Sequence, residues 1–175
     1  YKDYLRRLPL LDRVLSGSEE LERRIQQMAN EITREYQGSM PLLVCILKGA
    51  YVFLADLTRC LGLEHEVDFM AVSSYEGGTK STGVVKIEKD LKANITNRDV
   101  ILIEDIVDSG LTLSHLVELL QTRSPRSIRV CSLLDKAAAR EKEVPVHYRG
   151  FEIPKEFVVG YGLDYEEKYR NLPFI

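Results

Sequence analysis

The sequence predicts an α/β fold, a mostly parallel, twisted sheet flanked by helices. Three observations predict it. Leu42–Leu47 (LLVCIL) is a short continuous apolar run, which suits a strand buried on both faces of a parallel sheet; Asp99–Ile103 (DVILI) reads as a strong buried strand and Ser127–Leu134 (SIRVCSLL) as a further one. Between them lie longer segments whose apolar residues recur at three- and four-residue steps, the helical period. The two kinds alternate along the chain, as they do where helices cover a parallel sheet.

The elements follow in order. SEELERRIQQMANEITREY, from Ser18, reads as a helix with Leu21, Ile25, Met28, Ala29 and Ile32 on one face. Ser18 is its expected N-cap, with Glu19 and Glu20 in the first turn and Gly38 beyond its end. The strand Leu42–Leu47 is next, then a helix over Ala50–Gly62. Val67–Tyr75 (VDFMAVSSY) and Val84–Glu88 (VVKIE) read as strands on either side of EGGTKSTG, so residues 75–83 are the expected tip of a long hairpin or flap. A turn at Asn94–Asn97 precedes the strand at Asp99–Ile103. A helix over Leu111–Thr122 then presents Leu113, Leu116, Val117 and Leu120 on one face. After Ser127–Leu134, AAAREKEV is a charged connection and Phe157–Gly160 (FVVG) a last short strand.

With 175 residues the chain suits one domain and buries ~70% of its unfolded surface on folding, enough for one full core. Lys plus Arg number 24 and Asp plus Glu 27, and a formal charge of -3 argues against a broad nucleic-acid-binding face. The longest apolar stretch, Leu42–Leu57, is broken by Lys48 and Asp56 and is too short to span a membrane. No leader pattern is visible; the absence of an initial Met and the stop at Ile175 point to further terminal residues. Cys45, Cys60 and Cys131 show no metal-ligand spacing and read as reduced core thiols of a cytoplasmic protein. His65, His115 and His147 fit no triad or metal pattern.

In an open α/β sheet, ligands bind beyond the carboxyl ends of the strands. That rule singles out Lys48, Ser74, Glu104–Thr112 and Asp135–Lys136. VILIEDIVDSGLT (Val100–Thr112) is the most informative of these segments. A strand runs into the adjacent carboxylates Glu104 and Asp105, Asp108 follows, and Ser109, Gly110 and Thr112 open a helix. Hydroxyls and free N–H groups at a helix start form a phosphate cradle, while the carboxylates suit sugar hydroxyls or Mg2+. The plainer reading is a solvated turn with Asp108 or Ser109 as an N-cap. Neither a Walker loop nor a G-x-G-x-x-G turn is present.

The segment closely resembles the phosphoribosyl-diphosphate signature of type I phosphoribosyltransferases. LKGA at 47–50, SSY at 73–75, LLDK at 133–136 and FVVGYGLDYEEKYRNLP at 157–173 narrow the resemblance to the bacterial hypoxanthine-guanine branch. It runs from about Leu15 to Ile175. It implies one domain over residues 1–175, with a flap at about 73–88 and a small hood from about 1–17 and 137–175. It also implies transfer of a 5-phosphoribosyl group from phosphoribosyl diphosphate to N9 of hypoxanthine or guanine in purine salvage. Mg2+ is the implied cofactor, and a homodimer or homotetramer the implied assembly. A nucleotide- or RNA-binding regulator of the same fold and a transferase for another base, such as xanthine, are the alternatives.

The resemblance also implies roles. Ser109, Gly110, Leu111 and Thr112 grip the 5-phosphate; Glu104 and Asp105 reach the ribose hydroxyls and their Mg2+. Asp108 stands near N7 of the purine as general base, a role worth ~10²–10⁴ in rate. Lys48 and Gly49 belong to the pyrophosphate loop, where a cis Leu47–Lys48 peptide is expected. The family commonly has Gly-Gly where this chain has Gly49-Ala50. Lys136 donates to the purine C6 carbonyl, Phe157 stacks on the base and the Val158 backbone reads N1. Asp164 lies beside the purine as a second Mg2+ ligand, Arg170 near the pyrophosphate, and Ser74 and Tyr75 meet substrate when the flap closes.

Overall fold

A computed structural model describes residues 1–8, 10–74 and 84–175. Its strands are β1 (Leu42–Leu47), β2 (Glu66–Ser74), β3 (Val85–Lys89), β4 (Asp99–Val107), β5 (Ser127–Asp135) and β6 (Tyr148–Glu152). Its α-helices are α1 (Lys2–Arg7), α2 (Ser18–Glu35), α3 (Tyr51–Cys60) and α4 (Leu111–Gln121). The strands form one sheet in the order β3-β2-β1-β4-β5-β6, antiparallel only between β2 and β3. The mostly parallel sheet flanked by helices is the one the apolar runs imply.

Alternation along the strands divides the core. Leu43, Cys45, Ile101, Ile103, Cys131 and Leu133 face α2 and α3, meeting Ile25, Met28, Ile32, Phe53 and Leu57. Leu42, Val44, Val100, Leu102 and Val130 face the other way, onto Leu113, Leu116 and Leu120 of α4. Central strands buried on both sides must be apolar throughout, which is why they are the most legible part of the sequence. Among the described residues no helix is long and apolar enough to cross a membrane.

Three expectations are corrected and one strand is added. The N-cap of α2 is Gly17, without a side-chain cap, because Ser18 is already helical and its hydroxyl meets Tyr1. β4 runs on past Ile103 to Val107, held in register with β5, so Glu104 and Asp105 lie within the strand. Phe157–Gly160 is not a strand; only an isolated bridge joins Gly160 to Leu163. The sixth strand is β6 instead, parallel to β5. Its polar sequence YRGFE hides it, yet a Cβ on Gly150 would collide with the Leu133 carbonyl, so the close approach to β5 requires glycine. Residues 75–83, the expected flap tip, lie outside the described residues, and α1 carries no signal that the sequence reading used.

Candidate active site

The carboxyl ends of β1, β4 and β5 converge. Glu104 is in register with Ser132, and Val107 with Asp135, so the acidic end of β4 lies beside Asp135 and Lys136. On the other flank, the Leu47–Lys48 peptide is cis and Gly49 sits directly against Asp105. A Cβ on Gly49 would run into the Asp105 carboxylate, and one on Gly162 (φ 101°) would strike the Gly49 carbonyl. The 162–170 segment is thereby stacked on the Lys48–Gly49 loop, and that loop on the acidic strand.

Two cavities open here and share Asp105, Ile106 and Asp108. One, of about 260 Å³, is lined by Leu47, Gly49, Glu104, Ser109, Gly110 and Thr112 besides the shared residues. The other, of about 210 Å³, adds Lys136, Phe157, Val158, Leu163 and Asp164. Gly110 has φ 81°, a left-handed conformation that glycine adopts freely, and caps α4. The N–H groups that open α4 belong to its first turn, where helices lack internal acceptors and anions bind.

Charge is concentrated but uneven. Burial pushes the Glu104 carboxyl well above its ordinary value, and Asp105 adds to the shift. Burial also lifts Asp105 to about 6, although the Ile106 N–H, donating at 2.7 Å, and the charge of Arg170 pull it down. Among the described residues no ion pair reaches either carboxylate, and no cluster of three or more His, Cys, Asp or Glu could hold a metal by itself. Paired, uncompensated carboxylate oxygens fit a hard cation such as Mg2+, which completes its shell with waters and phosphate oxygens.

Around that centre the cations are spoken for. Lys136 Nζ, on a side chain 10% exposed, lies 3.6 Å from Oδ2 of Asp108, which is 60% exposed. Lys48 Nζ is 3.0 Å from Glu167 Oε2. Arg170 donates to the Gly162 carbonyl at 2.8 Å and lies 3.4 Å from Asp164 and 3.3 Å from Glu167. The sequence reading missed Glu167, since one acid within EEKYRN gives no signal of its own. Phe157 is 73% exposed, its ring edge-to-face with Tyr165 at 5.9 Å, which leaves aromatic surface free beside Lys136. Ser74 closes β2, while Tyr75 lies outside the described residues.

The histidines and cysteines lie outside the lining of these two cavities. His65 meets Thr58 and the Leu63 carbonyl, His147 Nδ1 accepts the Val130 N–H at 2.9 Å, and His115 sits on α4. The three cysteines are free, and burial pushes the Cys45 and Cys131 thiols up, away from reactivity.

Residues 15–166 match the family model described as phosphoribosyl transferase domain. The hypoxanthine-guanine phosphoribosyltransferase of Bacillus subtilis is 49% identical over 165 residues, covering 94% of this chain and 92% of that protein. The bifunctional protein TilS/HprT of Listeria monocytogenes is 52% identical over 165 residues; the match covers 94% of this chain but spans only 26% of that longer protein. Among solved structures, a hypoxanthine-guanine phosphoribosyltransferase from Bacillus anthracis, with HEPES in its active site, superposes with a TM-score of 0.91 at 43% identity, covering 94% of this chain and 96% of that one.

Proposed function

This chain belongs to the phosphoribosyl transferase domain family, and from that membership we propose that it transfers the 5-phosphoribosyl group of phosphoribosyl diphosphate to N9 of hypoxanthine or guanine. IMP or GMP and pyrophosphate are the products, and the reaction serves purine salvage. One observation carries the reading: Asp108 lines both cavities and faces the nearly buried amine of Lys136.

In this reading the sugar phosphate occupies the larger cavity. N–H groups and hydroxyls of Ser109–Thr112 hold the 5-phosphate, and Glu104 and Asp105 reach the ribose hydroxyls. The base occupies the smaller cavity. Lys136 donates to the C6 carbonyl, which an amino group at C6 could not accept; the Phe157 face takes the ring and the Val158 backbone reads N1. N9 attacks C1 of the ribose while the bond from C1 to the diphosphate oxygen breaks. As N9 is consumed, the N7 proton passes to the Asp108 carboxylate. Lys48 and Arg170 stand ready to exchange Glu167 for the departing diphosphate. Glu104 and Asp105 would hold one Mg2+ and Asp164 a second, and these ions would supply the positive charge that a diphosphate needs on a chain of net charge -3.

Residues 1–17 and 137–175 then serve as a hood over the base, and Ser74, at the end of β2, meets the substrate; the proposed flap tip at 75–83, with Tyr75, lies outside the described residues. A homodimer or homotetramer and a cytoplasmic setting belong to the same proposal; free Cys45, Cys60 and Cys131 suit a reducing compartment. The test is a base-by-base assay with phosphoribosyl diphosphate and Mg2+. IMP and GMP are expected from hypoxanthine and guanine, with adenine inert. Ligand binding without nucleotide formation from any base would overturn the enzymatic reading.

A further inference from the structure

The connection that follows Lys136 braces the turn that follows Val107. The N–H of Lys136 donates to the Val107 carbonyl at 2.9 Å, and those of Glu141 and Lys142 donate to the Ser109 carbonyl at 2.8 and 3.0 Å. Between them, the Asp108 carbonyl accepts from Arg140 Nε at 3.3 Å. The Gly110 carbonyl accepts the Ser114 N–H at 2.9 Å. Every carbonyl from Val107 to Gly110 is therefore engaged. Among the described residues, the N–H groups of Ser109 and Gly110 find no acceptor, and that of Thr112 falls in the first turn of α4. The Leu111 N–H donates to the Ser109 hydroxyl at 3.3 Å; a loop whose carbonyls are occupied while N–H groups such as those of Ser109 and Gly110 stay free is an anion receptor.

One of those carbonyls is held by a side chain, and that side chain is itself clamped. Arg140 is 9% exposed, and its guanidinium pairs with the Asp135 carboxylate, which is 1% exposed. The second Asp135 oxygen lies 2.8 Å from Arg149 Nε, whose N–H is not aligned with it and makes no hydrogen bond. Asp135 immediately precedes Lys136. The Arg140 stem packs so close to Gly110 that a Cβ there would come within 2.8 Å of its Cδ. A buried carboxylate holds its counter-ion firmly, because leaving either charge unpaired costs several kcal/mol.

We propose that Arg140 is a positioning residue for the 5-phosphate: clamped by Asp135, it fixes the Asp108 carbonyl and so keeps the 109–112 cradle open to an anion. Its two donors act in different directions, Nη2 on Asp135 and Nε on Asp108. A lysine at this position replaces the charge but not the second donor. The inference rests on the transferase reading above, and IMP with inosine separates the two. Both ligands carry the base and ribose; only IMP carries the phosphate.

Wild-type protein and Arg140→Lys are titrated with IMP and with inosine by calorimetry. Wild type binds IMP more tightly than inosine. Arg140→Lys loses about tenfold of IMP affinity, the scale of one hydrogen bond to a charged ligand's cradle, while inosine affinity stays within about twofold. Equal losses for the two ligands, or none, overturn the positioning role. Wild type that binds neither ligand overturns the transferase reading itself. Should Arg140→Lys fail to fold, Asp135→Asn combined with Arg140→Gln removes both charges together, and the same IMP-to-inosine ratio decides.

Discussion

Lys136 Nζ stands 3.6 Å from Asp108 Oδ2, one group almost buried and the other largely open to the cleft. The distance is that of an ion pair rather than a hydrogen bond. The amine thus has a charge partner, and in the proposed function a base entering between them finds a donor for its carbonyl oxygen and an acceptor for its proton.

Asp108→Asn tests the acceptor. Asn keeps the size and the polarity but cannot take a proton. Turnover is expected to fall at least ~100-fold, while equilibrium binding of phosphoribosyl diphosphate stays nearly intact. Steady-state kinetics beside a binding titration separates the two, and unchanged turnover would remove Asp108 from the base's role.

Lys136→Ala tests the donor. An oxopurine then loses a charged hydrogen bond, whereas adenine, with an amino group at C6, loses nothing. Preference for hypoxanthine over adenine in kcat/KM is expected to shrink by ~10–100-fold, the worth of one such bond. A retained preference would assign base selection to the backbone at Val158 instead.

The sequence was most legible where one residue type does one job. β1 and β4 announce themselves because both faces are buried. Glu104, Asp105 and Asp108 announce themselves because acids at the end of an apolar strand have no packing reason to be there. β6 stayed hidden, because an edge strand reading YRGFE needs backbone pairing more than apolar side chains. FVVG misled for the opposite reason: its residues are apolar but Phe157 is exposed and the segment pairs with no strand among the described residues. Glu167 and Arg140 acquire their partners, Lys48 and Asp135, only through contacts across loops, which no spacing along the chain encodes.

Asp68 offers a prediction on stability. Burial alone would raise its carboxyl, but the N–H groups of Ala93, Phe69 and Lys92 outweigh it and hold it below the ordinary value. Its Oδ2 accepts from Lys92 at 2.9 Å and Ala93 at 2.8 Å, tying the turn after β3 to β2. Its Oδ1 accepts from Phe69 at 2.8 Å, so Asp68→Asn leaves at least that N–H facing an amide N–H2, at a cost of ~1–3 kcal/mol. A carboxylate depressed in the folded state stabilises above its unfolded value and loses that contribution as pH falls through the folded one. The gap between wild type and variant in urea denaturation is thus expected at neutral pH and narrowed near pH ~3. A gap independent of pH would assign the loss to packing.

Gly49→Ala probes the stacking of loops at the site. The added methyl group has only the Asp105 carboxylate to displace, because the far side of the loop is closed by Gly162, whose own Cα lies against the Gly49 carbonyl. Overpacking of this kind costs ~1–3 kcal/mol, a loss the folded chain can absorb. The displaced group is a carboxylate proposed for the sugar and its Mg2+, whereas Lys136 and Phe157, proposed for the base, line only the smaller of the two cavities. The expected signature is therefore one-sided. The KM for phosphoribosyl diphosphate rises at least ~10-fold, and more Mg2+ is needed for half-maximal rate, while the KM for hypoxanthine holds; a strain of ~1.4 kcal/mol passed to the donor site accounts for the tenfold. Equal changes in both substrate constants would mean that the methyl group distorts the whole cleft, and Asp105 would lose its separate assignment to the sugar side.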